Sequence, residues 1–168
     1  MKGLPGHYWI GATYSPWQGF QEFGRPDKAG NSYGFYIHGD QMVYQERPGS
    51  DQGLTVWAAS GYYPQENISI VPFQVTSGLV YKGLIQGRDE DRTTLGVIYG
   101  RFSSDYAGTV KATTGGDPRY ELVVEAGHRI QLTKFAYVQP DIQWIVRPGG
   151  TGQIPNALVV GAQFGVTF

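Results

Sequence analysis

Apolar and polar side chains alternate with a period of two through eight separate stretches of this chain, which is the spacing of extended strands and not of helices. The stretches are Gly6–Ser15, Tyr33–Glu46, Gly53–Tyr62, Pro72–Leu84, Thr94–Ser103, Arg119–Gln131, Phe135–Arg147 and Asn156–Phe168. In the first, Tyr8, Ile10, Ala12 and Tyr14 share one side; in the fourth, Phe73, Val75, Leu79 and Tyr81 alternate with Gln74, Thr76, Gly78, Val80 and Lys82. The sixth sets Tyr120, Leu122, Val124 and Ala126 against Glu121 and Glu125, and the seventh sets Val138, Ile142, Trp144 and Val146 against Gln139, Asp141 and Gln143. The last has an unbroken apolar side of Leu158, Val160, Ala162, Phe164, Val166 and Phe168. The facing of the fifth stretch is not settled by its pattern. Pro140 lacks an N–H and predicts a bulge or an edge within the seventh. Helical periodicity is hard to find anywhere.

The connections add a second rhythm. Except for a medium fourth link, long and short links alternate, as expected of an antiparallel barrel with short turns on one rim and longer loops on the other. An even strand count places both ends on the short-turn rim. The polar side of each strand carries Gln, Thr, Gly and Tyr with an occasional charge, whereas the charges concentrate in the links, as in Glu22, Arg25, Asp27, Lys28, Glu46, Arg47, Asp51 and the run Arg88–Arg92. A soluble sandwich or barrel solvates its outer face with charge. Aromatic residues sit toward strand ends, at Tyr8, Tyr14, Tyr33, Tyr62, Phe135, Trp144 and Phe168, where an interfacial girdle needs them. The expectation is an all-β, antiparallel transmembrane β-barrel with about eight strands in this chain, set against a soluble β-barrel.

Composition narrows the alternatives. The 168 residues suit a single domain spanning 1–168. Twenty-five glycines without a Gly-X-Y period, and charged residues at 16% against about 25% in an average soluble domain, describe a charge-poor β protein and neither collagen nor a disordered chain. A formal charge of −1 gives no basic field for nucleic acid. The absence of cysteine removes disulfide and thiolate-metal frameworks and suits passage through an oxidising compartment. The start, Met1-Lys2-Gly3-Leu4-Pro5-Gly6, lacks the apolar stretch of a signal peptide, so either a leader has been removed or the chain is a piece. No apolar run approaches the roughly 20 residues of a helical membrane span.

Particular blocks carry a resemblance. "FYIHGDQMVYQ" (Phe35–Gln45), "DQGLTVWAASGYYPQENIS" (Asp51–Ser69), "SGLVYKGLIQGRDEDRTTLGVIYGRFS" (Ser77–Ser103), "YELVVEAG" (Tyr120–Gly127) and "YVQPDIQWIVRPGG…IPNALVVGAQFGVTF" (Tyr137–Phe168) together resemble the carbohydrate-selective porin B family. The apolar final strand with Leu158, Val160, Phe164, Val166 and Phe168 looks like the signal by which the bacterial outer-membrane assembly machinery recognises barrels. The resemblance implies a bacterial outer-membrane location and passive carbohydrate uptake with no cofactor, no metal and no catalysis. It also implies a full barrel of about sixteen strands, of which this chain resembles the C-terminal half. Three expectations follow from the length: a fragment or truncated member, association with a second copy or a missing N-terminal half, or a small closed barrel that does not conduct.

A sugar pathway needs polar groups that replace part of the hydration shell, an aromatic surface for the apolar side of the ring, and affinity weak enough for exit. The alternation nominates His38, Asp40, Lys82, Glu121, Glu125, Gln139, Asp141, Gln143 and Arg147 as lumen residues, with Trp57 as the aromatic surface. For each of them an interior salt bridge or hydrogen-bond ladder is the competing reading. Arg88, Asp89, Asp91 and Arg92 belong to a block shared with the family, and as a mixed-charge run they also read as a solvated turn or a self-paired rim network. Enzyme chemistry finds little support, because His7, His38 and His128 are far apart in sequence, no Gly-x-Ser-x-Gly elbow exists and no His pair has zinc spacing.

Overall fold

The computed structural model describes residues 3–26 and 28–167. Its strands are β1 (Gly6–Ser15), β2 (Phe20–Gln21), β3 (Lys28–Ala29), β4 (Ser32–Gln45), β5 (Gly53–Tyr62), β6 (Phe73–Lys82), β7 (Arg92–Arg101), β8 (Tyr120–Gln131), β9 (Ala136–Val146) and β10 (Ala157–Val166). Among the described residues, one α-helix, α1 (Ser104–Thr114), lies between β7 and β8, and a single 3-10 turn, Pro148–Gly150, follows β9. Eight strands form a single antiparallel meander in the order β1-β4-β5-β6-β7-β8-β9-β10, while β2 and β3 make a small ribbon in the first link. Among the described residues β1 and β10 each pair on one side only, so the sheet is open. Each sheet strand has 10 to 14 residues, enough for a tilted crossing of the hydrocarbon layer.

The links settle the rhythm noted in the sequence. One rim carries residues 46–52, 83–91 and 132–135; the other carries 16–31, 63–72, 102–119 and 147–156. The medium link therefore belongs to the short rim, and the alternation holds throughout. Backbone geometry marks two joins. Gly53 opens β5 at φ 140°, where an added Cβ would stand 2.1 Å from the Tyr44 carbonyl oxygen. Gly150, at φ 73°, leaves room that the Phe102 ring fills.

Pairing is in continuous register, with two local departures. A bulge between Met42 and Tyr44 displaces Val43 from the β4–β5 ladder. Pro140 sits in an interior strand, paired with Ala162 of β10, and the β8–β9 pairs are interrupted between Gly127/Asp141 and Ile130/Val138 with the same register on both sides. The expectation of a bulge or an edge at Pro140 is corrected to a gap in one ladder, because a missing N–H removes a bond without adding a residue.

Register assigns the two faces. Directly opposed residues in an antiparallel pair project to the same side, so Ile10, Ile37, Val56, Leu79, Leu95, Val124, Ala126, Ile142 and Val160 share one face across the sheet. The fifth stretch is thereby settled: Leu95, Val97 and Tyr99 take the apolar face and Thr94, Gly96, Ile98 and Gly100 the other. Aromatic pairs edge the apolar face near both rims, Tyr44 with Tyr81 at the short rim and Tyr99 with Tyr120 at the long one.

Nothing in the described structure covers that face. Leu158, Val160 and Phe164 are 60%, 74% and 65% exposed, and Val166 is exposed as well; Phe168 lies outside the described residues. Met42 and Ala136 are the buried hydrophobic residues among those described. A water-soluble domain of this size buries about two thirds of its unfolded surface around a core. This sheet places its large side chains outward, an arrangement that hydrocarbon stabilises and water does not.

A paired substitution checks the facing. Val160→Arg, near the middle of β10, is expected to destabilise the bilayer-inserted protein by about 2–4 kcal/mol in reversible denaturant titrations. Gln143→Arg, on the opposite face, is expected to change it by less than about 1 kcal/mol.

Candidate functional site

The polar face is organised in rows that cross the strands. One row runs His7, Asp40, Trp57, Gly78, Gly96, Glu125, Gln143 and Val159. The next, toward the long rim, runs Trp9, His38, Ala59, Thr76, Ile98, Val123, Ile145 and Ala157. Toward the short rim, Lys82, Arg92 and Arg129 stand opposite one another on β6, β7 and β8. His38, Asp40, Trp57, Lys82, Arg92, Glu121, Glu125, Gln139, Asp141 and Gln143 therefore all project from one side of the sheet. Arg88, Asp89 and Asp91 lie in the 83–91 turn, and Arg147 lies beyond the end of β9.

His7 Nδ1 is 3.0 Å from Asp40 Oδ2, and Trp9 stacks on His38 with ring centroids 4.4 Å apart and planes 8° from parallel. Glu121 Oε2 accepts the Gly149 N–H at 2.6 Å. The Arg129 guanidinium carbon stands 3.6 Å from the centroid of the Tyr137 ring. The Trp57 indole covers glycine backbone: a Cβ built on Gly78 would approach its Cζ2 to 2.9 Å, and one on Gly96 to 3.7 Å. The side chains of Glu125, Gln139, Asp141 and Gln143 have no hydrogen bond or ion pair with another described residue. His7, Trp9, Tyr36, Arg129 and Tyr137 are members of this face that the alternation carries without singling out.

The short rim is an ionic clamp. Asp91 is almost fully buried and accepts Arg88 Nε and Nη2 at 2.8 and 2.9 Å and the Gln131 N–H at 2.8 Å, with His128 Nε2 3.5 Å away. Arg88 Nη2 also donates to the Gln131 carbonyl at 3.1 Å, so the 83–91 turn is tied to the end of β8. Burial works to raise the Asp91 carboxyl; the Arg88 guanidinium and the Gln131 N–H outweigh it and hold the group below the ordinary carboxylate value. Lys82 bridges Asp51 and Glu90 across two turns, and its ammonium holds the Asp51 carboxyl low. Asp89 is exposed. The charged run is thus a rim network in which Arg88 and Asp91 brace the fold, while Arg92 alone of the four reaches the polar face.

The long rim is knitted by Glu66. Its carboxylate accepts Arg101 Nη2 at 2.8 Å and both the N–H and the hydroxyl of Ser104 at 3.0 Å. Ser103 caps α1 by accepting the N–H groups of Asp105 and Tyr106, and its hydroxyl donates to the Glu66 carbonyl. Tyr106 packs against Phe23 and Phe102. Arg147, with φ 56°, donates to the Gly150 carbonyl at 3.0 Å and lies over Tyr120, so it closes the 147–156 loop. No helix among the described residues is long and apolar enough to cross a membrane, and no cluster of His, Asp and Glu among them could hold a metal.

Two outcomes test these networks. Asp91→Ala is expected to cost about 1–3 kcal/mol in denaturant titrations, since it strands Arg88 and the Gln131 N–H, whereas Asp89→Ala is expected to be near neutral. Arg101 first, then the Ser104 donors, hold the Glu66 carboxyl below its ordinary value of 4.5. Its contribution is fully present above that value and is lost as pH falls through the depressed one. Limited proteolysis within residues 102–119 is expected to speed up only in that acidic window, and Glu66→Gln to make cleavage fast and pH-independent there.

Comparison with known proteins agrees with this geometry. Residues 3–168 match the family "Carbohydrate-selective porin, OprB family". Porin B of Pseudomonas aeruginosa is 25% identical over 190 aligned residues, covering 98% of this chain and 42% of that protein. The high-pH structure of Pseudomonas putida OprB superposes with a TM-score of 0.88 at 24% identity, over 100% of this chain and 46% of that one. The chain thus spans less than half the length of the relatives it matches, and its open eight-stranded sheet has the fold of part of a porin barrel. It belongs to the OprB family of carbohydrate-selective porins.

Proposed function

We propose that this chain forms part of the wall of a bacterial outer-membrane channel through which carbohydrates and small solutes diffuse passively. The observation that carries the reading is the division of one sheet into an uncovered apolar face and an opposite face bearing Asp40, Lys82, Arg92, Glu121, Glu125, Gln139, Asp141 and Gln143. Hydrocarbon stabilises the first face and water the second, which is the condition of a strand wall around an aqueous lumen. Eight strands closed on themselves leave an interior filled by side chains, whereas sixteen to eighteen leave a water channel. The unpaired edges of β1 and β10 favour the wider wall, completed by an adjoining N-terminal half or by a second copy.

On this reading the partners are outer-membrane lipid on the apolar face, sugars held weakly on the polar face, and the barrel-assembly machinery at β10. Diffusion needs no bond to be made or broken, so no catalytic group and no cofactor take part. The protein containing this chain, refolded in detergent and inserted into planar bilayers, is expected to give discrete conductance steps and to pass glucose in vesicle-swelling assays. A protein that inserts with heat-modifiable gel migration but never conducts would remove the transport reading and leave a structural barrel.

A further inference from the structure

Trp57 projects from the polar face of the sheet and is half-buried. Its indole lies over Gly78 and extends to Gly96, the two residues that follow it in the same row. Glycine at both positions leaves room for the ring edge against the backbone, since a Cβ on Gly78 would stand 2.9 Å from the indole Cζ2 and one on Gly96 3.7 Å from it. Thr76 and Thr94 flank the row at the neighbouring polar-face positions of β6 and β7. Carboxylates bracket it, Asp40 directly opposite Trp57 and Glu125 directly opposite Gly96.

The polar atoms around this indole are underused. Glu125 and Gln143 are opposed in register, and the side chain of neither bonds to another described residue. The Trp57 indole N–H likewise has no acceptor among them. A buried structural tryptophan ordinarily finds a partner for that N–H. An indole with no ring or cation stacked on it among the described residues, a carboxylate and an amide beyond one edge, and a second carboxylate at the other matches a pyranose chair, which is apolar across its C–H face and ringed by hydroxyls. Carboxylates accept hydroxyl hydrogen bonds strongly.

We propose that Trp57, laid over Gly78 and Gly96, is a stacking subsite for a single pyranose ring, with Glu125 and Gln143 taking its hydroxyls. The inference rests on the channel reading above and adds a place and a ligand geometry to it. Neighbouring aromatic groups do not compete for the role, because Trp9 is already stacked on His38 and Tyr137 lies under Arg129.

Glucose is the probe, with two readouts on the channel-forming protein that contains this chain. In planar bilayers, the glucose concentration that halves the sugar-induced reduction in ion current is expected to rise about fivefold in Trp57→Ala, to recover most of the way in Trp57→Phe, and to rise in Glu125→Gln. Saturation transfer in detergent is expected to connect glucose ring protons to aromatic protons in the wild type and to lose that transfer in Trp57→Ala. Unchanged half-saturation or unchanged transfer in Trp57→Ala, with conductance intact, overturns the subsite and leaves the channel reading standing. Loss of conductance in the wild type overturns the channel reading, and the saturation-transfer result then decides the subsite by itself. Heat-modifiable migration of each variant separates these outcomes from failure to fold.

Discussion

Every backbone N–H and C=O placed in hydrocarbon must find a partner within the protein, because there is no water to supply one. The eight-stranded ladder meets that demand for the interior strands, and it makes the two outer edges the least tolerable part of the molecule. No core offsets this. With Met42 and Ala136 as the buried hydrophobic residues described, the sheet is held by its ladders, its rims and whatever covers its apolar face.

The rims carry the side-chain bonding, and that division leaves the middle of the polar face available. At the short rim, Asp91 and Lys82 gather charges from turns and strand ends; at the long rim, Glu66 gathers donors from β7 and α1. Lys82, Arg92 and Arg129 would repel one another as cross-strand neighbours. Asp51 and Glu90 neutralise the first and the Tyr137 ring accepts the third, so the fold accommodates a basic row near the short rim. In between, the side chains of Glu125, Gln139, Asp141 and Gln143 bond to no other described residue.

Strand existence was highly legible, since the eight alternating stretches correspond to β1 and β4–β10 with boundaries shifted by only one or two residues. Helix α1 was not. Its sequence, SDYAGTVKATT, has little amphipathic character, and its signals are the flanking Ser103 cap and the left-handed Gly115. The helix is held by caps, by Phe102 just before it and by Phe23 from a distant part of the chain, the last a contact that no local period records. The membership of Trp9 and Tyr36 in the polar face was implicit in the same alternation that placed His38. The mixed-charge run was visible as a cluster, but which of its residues would turn inward was not, because Asp91 is fixed by Gln131 and His128, forty and thirty-seven positions away.

The sequence by itself determined that the chain is a set of antiparallel strands with one apolar and one polar side. Strand periodicity is a property of local covalent geometry, and each residue's side follows from its neighbours two positions away. Only the tertiary structure decided which polar residues stand together. The row of Asp40, Trp57, Gly78, Gly96 and Glu125 exists because four strand pairs adopt one register, and register is set by cross-strand pairing over the whole sheet. A one-residue slip would keep every alternation in the sequence and abolish the row.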